Sequence, residues 1–112
     1  MPQSGATYAG SYYGSQLHED AESAASADCD LSNYDRIVVI FRSLGGQPNS
    51  QVYWGGLAEI GGTRVWVNGE VDFRVLAHEL GHTFGLWHAG VWQTTDGNPA
   101  HGSSSSRYFS CL

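Results

Sequence analysis

The sequence predicts an α/β fold, a small sheet with one backing helix and a second helix that carries chemistry. Three observations predict it: the continuous β-branched and aromatic run RIVVIF at 36–41, further short strand-like segments broken by Gly-Gly pairs, and a two-faced helical pattern over 73–84. The length of 112 residues fits one domain with one core, so 1–112 is expected to be a single domain. With 41% hydrophobic and only 14% charged residues the chain falls among globular rather than disordered sequences.

Residues 1–16 are rich in Gly, Ser and Tyr and read as extended or loop structure. The next segment, LHEDAESAASAD at 17–28, combines alanines with early acidic residues and predicts the backing helix. RIVVIF lies between polar flanks, as a buried strand does, and SLGGQPNS at 43–50 is a turn-rich loop. Gln51 to Trp54, Leu57 to Ile60 and Arg64 to Val67 read as short strands. Asp72 is placed to cap a helix running through about Phe84. On it Phe73, Leu76, Ala77, Leu80 and Phe84 form one apolar stripe, expected to enter the core, while His78 and His82 leave the opposite side toward a cleft. The residues after His88, at 89–112, carry Gly, Pro, Asn and a serine run and are expected to be an irregular tail.

Charge and hydropathy exclude several function classes. Five arginines and no lysine stand against eleven acids, a formal charge of −6, so there is no basic patch for nucleic acid or an anionic membrane. The longest apolar run, Ile37 to Phe41, is far too short to span a bilayer. The N-terminal MPQSGATYAG has neither a charged nor an apolar signal region, which suits an initiator Met1 ahead of a mature chain.

The segment His78 to His88, HELGHTFGLWH, carries the chemistry, reading H-E-x-x-H-x-x-G-x-x-H. Shuffling the composition produces these five positions in on the order of one chain in tens of thousands, so a merely histidine-rich helix is a poor explanation. His78 and His82 are one helical turn apart, so both imidazoles leave one face and can share a zinc ion. Gly85 allows a sharp exit from the helix that brings His88 back to the metal. Three neutral nitrogen ligands leave a fourth tetrahedral position for water, the arrangement of a catalytic rather than a structural zinc site. Glu79 is carried beside them, where a carboxylate could reach a zinc-bound water.

This motif resembles that of the metzincins, a clan of zinc endopeptidases. Within the clan the chain looks most like the gametolysin-type peptidases, through LSNYDRIVVIF at 31–41, WGGLAEIGGTRVWVNG at 54–69 and VLAHELGHTFGLWHAG at 75–90. The resemblance covers roughly residues 15–90. It implies a zincin-like α+β fold, with a small mixed twisted sheet, a backing helix, an active-site helix and a reduced C-terminal subdomain. It also implies one catalytic zinc ion held by His78, His82 and His88, with Glu79 as catalytic base. The implied reaction is peptide-bond hydrolysis by a zinc-bound water, in a secreted and monomeric enzyme whose partner is a polypeptide substrate. The segment Gly55–Gly69 resembles the upper rim strand of metzincin clefts, along which a peptide adds as a further strand. The chain departs from the clan pattern after His88: its one methionine is Met1, so the clan's methionine turn has no counterpart. A minimal natural enzyme, an engineered core and a catalytically incomplete zinc-binding fragment or remnant acting as a binding module all remain compatible with that departure.

Other residues give weaker signals. Cys29 and Cys111 offer one disulfide, worth about 4–5 kcal/mol in the loop-entropy model, against the alternatives of two buried thiols or a thiolate capping the zinc. Trp54, Trp66, Trp87 and Trp92 divide between core and pocket wall, and Tyr108 is a weakly anchored candidate for transition-state contact. His18 and His101 are expected at the surface.

Overall fold

A computed structural model of the chain describes residues 2–88 and 91–105; Tyr108 and Cys111 lie outside them. Where loop was expected at the N-terminus, a short helix α1, Gly5–Ala9, forms. Its cap explains it: the Ser4 side chain accepts a hydrogen bond from the Thr7 N–H, satisfying a donor that the first turn leaves free. The backing helix α2, Ser15–Ala25, begins two residues before the predicted segment and ends three before its end.

Three strands make the main sheet: β1 at Ile37–Phe41, β2 at Gly56–Ala58 and β3 at Arg64–Asn68. Their order is β1-β3-β2, with β1 parallel to β3 and β2 antiparallel to it, so the sheet is mixed. The central position goes to β3, whose Val65, Trp66 and Val67 are all buried. The RIVVIF run, expected to be fully buried, instead forms an edge strand that is mostly half-buried, with Ile40 exposed. An edge strand pairs on one side only, which leaves it less covered than its composition suggests.

Gln51 to Trp54 is not a strand. Its backbone is satisfied elsewhere: Gln51 N–H donates to the Ala9 carbonyl at 2.8 Å and Val52 N–H to Ser50 Oγ at 3.0 Å. Val52 thereby joins Tyr8, Ala9, Leu17 and Leu44 in a core, with Phe41 and Trp54 packed against it.

The sheet lies between two helices. Against one face sits α2, through His18, which is wholly buried rather than at the surface as expected. The His18 ring packs edge-on to Trp66 at 4.7 Å, and its Nε2 lies 3.3 Å from the Ile37 carbonyl. Its Nδ1 lies 2.9 Å from Glu22 Oε1 without the alignment of a hydrogen bond. Glu22 also accepts two bonds from the Arg64 guanidinium, 3.1 and 2.9 Å, tying α2 to the first residue of β3. Trp66 Nε1 donates to the Gly14 carbonyl at 3.0 Å, and Gly14 itself takes a left-handed backbone with φ 58° ahead of α2.

The third helix, α3 at Phe73–Thr83, covers the other face. Asp72 caps it as the sequence predicts, its side chain accepting from Arg74 N–H. The expected core stripe goes inward only in part: Phe73 is 81% and Phe84 68% exposed, and Ala77 is exposed as well. Glu79, His82 and Thr83 are buried instead, with Val75, Leu76 and Leu80 half-buried. Gly56 is the reason. A side chain there would place its Cβ 2.6 Å from Glu79 Cγ and 2.8 Å from Val75 Cγ1, so only glycine lets α3 lie on β2 through this face.

Part of the tail is ordered into a two-stranded ladder rather than being irregular throughout. In it β4, Val91–Gln93, pairs antiparallel with β5, Ser103–Ser105. Between them the exposed His101 has its Nδ1 2.7 Å from Asp96 Oδ2. Cys29 is exposed, which sets aside the buried-thiol alternative for it. Among the described residues no helix is long and apolar enough to cross a membrane.

Candidate metal centre

The predicted ligands converge. His78 and His82 project from one face of α3, with ring centroids 4.7 Å apart and their Nε2 atoms at 3.1 Å. The third ring, His88, stacks on His78 at 5.2 Å and meets His82 edge-on at 4.8 Å. One ligand atom from each of the three lies within 4.8 Å of the others. Two nitrogens bound at about 2.0–2.1 Å on a tetrahedral metal stand roughly 3.3 Å apart, close to the spacing seen for the first pair.

The geometry of the exit from α3 explains how His88 arrives. Gly85 has φ 85°, a left-handed conformation that costs a residue with a Cβ about 1–2 kcal/mol. Leu86 N–H donates to the Gly81 carbonyl at 3.2 Å and Gly85 N–H to the His82 carbonyl at 2.9 Å, the paired bonds of a Schellman motif. That motif fixes the Leu86 carbonyl where it faces His82 Nδ1 at 2.7 Å. The carbonyl can only accept, so Nδ1 carries the proton and Nε2 is left with the lone pair a metal needs. Sequence reasoning named no partner for a ligand imidazole; the Gly85 turn supplies one.

Charge agrees with the ligand role. His78 is held below the ordinary imidazole pKa, first by partial desolvation and then by the imidazoles of His82 and His88. A lowered value keeps the ring neutral, as coordination requires. These observations fit a cation with three neutral nitrogen ligands: a tetrahedral spacing, a tautomer fixed by a carbonyl, and a ring held unprotonated.

Glu79 is buried beside His78 in the contact between α3 and β2. Burial pushes its carboxyl above the ordinary carboxylate range, against an opposing pull from His82. A carboxylate poised nearer neutrality is suited to accept and return a proton.

The other sequence candidates divide. Trp66 is core, Trp54 is half-buried against Phe41, and Trp87 is 76% exposed, which removes its core reading. Tyr108 lies outside the described residues. Two features that sequence reasoning missed bear on the site: the close approach at Gly56 and the contact of Arg36 with the end of α3. The Gly55-Gly56 pair reads in the sequence as a simple strand break, and Arg36 is 47 positions from its partner Thr83.

A model of the gametolysin peptidase M11 family matches residues 3–103. Comparison with curated proteins and with solved structures finds no match. The family match spans both helices that flank the sheet, the sheet itself and all three histidines, so the chain belongs to the gametolysin peptidase M11 family.

Proposed function

We propose that the chain is a zinc-dependent endopeptidase in which His78, His82 and His88 hold one zinc ion and Glu79 is the general base. The observation that carries this reading is the convergence of three imidazole ligand atoms within 4.8 Å, next to a buried carboxylate, in a chain of a peptidase family. Zinc bound there would lower the pKa of a water molecule and polarise the substrate carbonyl. The protein's own residues do the rest. Glu79 takes the proton as water attacks the peptide carbonyl and returns it to the leaving amine. The Leu86 carbonyl keeps His82 in the tautomer that presents Nε2.

The substrate is a polypeptide in extended form. Among the described residues β2 has one edge unpaired, and its Gly56 lies over Glu79, so a peptide added along that edge passes the proton acceptor. Family membership supports action outside the cell, and the acidic composition supports neither a nucleic acid nor a membrane partner. We take the working unit to be a monomer.

A second reading, a catalytically incomplete zinc-binding module, is favoured by one observation. His78 and His88 are exposed, as are most of the apolar Phe84 and Trp87, so no wall covers this end of α3 among the described residues. Zinc content and cleavage of a quenched fluorescent casein, measured on one preparation, separate the two. About one zinc per chain with chelator-sensitive cleavage supports the endopeptidase; the same zinc without cleavage supports the module.

A further inference from the structure

We propose that Arg36 is a positioning residue of the metal centre, holding the C-terminal end of α3 so that the Gly85 turn delivers His88 to His78 and His82. This rests on the zinc-site reading above and adds a residue outside the histidine motif.

Arg36 immediately precedes β1 and reaches across to the last turn of α3. Its Nε donates to Thr83 Oγ1 at 2.6 Å, and its Nη2 makes a longer contact of 3.5 Å with the Thr83 carbonyl. Its guanidinium carbon lies 3.8 Å from the centroid of the Phe84 ring. Thr83 and Phe84 are the two residues between the ligand His82 and the left-handed Gly85, so one side chain grips both ends of the hinge that aims His88.

The grip is chemically specific. Thr83 is buried, and its hydroxyl donates to the Leu80 carbonyl at 2.7 Å, which leaves its oxygen to accept from Arg36. A planar guanidinium can bond with its edge and stack with its face at once, which an ammonium cannot. Its positive charge also lies at the helix C-terminus, where unsatisfied carbonyls favour a cation. A second anchor acts on the same turn: Gly61 N–H, in the β2–β3 connection, donates to the His82 carbonyl at 2.8 Å. The connection holds the ligand His82, and Arg36 holds the two residues after it.

The test is zinc affinity of the folded, metal-free protein, measured by competition with a chromophoric chelator well below its thermal transition. Arg36→Met and Thr83→Val are each expected to weaken zinc binding about tenfold, the scale of losses outside the ligand set. Because both remove the same contact, the double variant should be no weaker than the worse single one. Thr83→Ser, which keeps the hydroxyl, should bind within about twofold of wild type. Arg42→Met, at the exposed far end of β1, should not change affinity. Arg36→Met binding zinc as tightly as wild type, or the two losses adding in full, overturns the inference while leaving the zinc site standing. Should Arg36→Met not fold, the contrast between Thr83→Val and Thr83→Ser decides, and equal affinities there overturn it. A wild-type protein that binds no zinc overturns the site reading and this inference together.

Discussion

Glu79 owes its environment to a residue that has no side chain. Gly56 lets β2 come close enough to desolvate the carboxyl, and nothing larger fits between strand and helix. Gly56→Ala would therefore push Glu79 and Val75 aside. We expect that variant to keep its zinc, because the ligands project elsewhere, and to lose at least about tenfold in turnover, since misplacement by about 1 Å costs up to 10²-fold. Zinc analysis beside steady-state cleavage checks this, and unchanged turnover would remove the packing argument. Gly85 raises a different issue. A Cβ there meets open space, so Gly85→Ala is opposed by backbone conformation alone. Its expected cost is about 1–2 kcal/mol, read from denaturant unfolding of the metal-free protein.

At the scale of elements, α3 is capped at both ends for different purposes. The Asp72 cap stabilises the start of the helix, and hydrogen bonds from the Arg74 side chain and backbone hold its carboxyl below the ordinary carboxylate range. A depressed carboxylate pKa contributes stability that is fully present above the unfolded value, about 3.9, and is lost as pH falls through the folded value. Asp72→Asn keeps the cap but not the charge. Its melting temperature should lie below wild type at neutral pH, and the gap should close as pH drops below about 4. A gap that persists in acid would contradict the assignment. The other end of α3, closed by the Schellman bonds and contacted by Arg36, is the end we propose to position the metal ligands.

How much of this could be read in the sequence differs between these elements. The capped helix, the left-handed Gly85 and the convergence of His78, His82 and His88 depend on local spacing, so they were legible. The direction in which α3 faces was not, because its apolar stripe competes with a histidine–glutamate face that a glycine on a distant strand admits. The same applies to His18. A polar helix residue reads as solvated, yet Trp66 and the Ile37 carbonyl give it a buried place. The loss of the strand at 51–54 likewise follows from a partner, Ala9, that lies far away in sequence.

For the whole molecule, the sheet is held between α2 and α3, and His78, His82, His88 and Glu79 lie on the α3 side. Zinc binding would join α3 to the segment beyond Gly85, so metal removal should act on stability as well as activity. A chelator is expected to lower the melting temperature by several degrees, and an equimolar return of zinc to restore it. On the α2 side, His18→Ala should cost about 2–4 kcal/mol through the cavity it leaves under Trp66, with zinc affinity unchanged.

The most direct test of the account compares Glu79→Gln with wild type for zinc stoichiometry and casein cleavage in the same buffer. The account predicts about one zinc per chain in both proteins and cleavage at least about 100-fold slower in the variant. Near wild-type cleavage by Glu79→Gln would contradict the assignment of Glu79 as the base, and loss of zinc from the variant would contradict the separation of base from ligands.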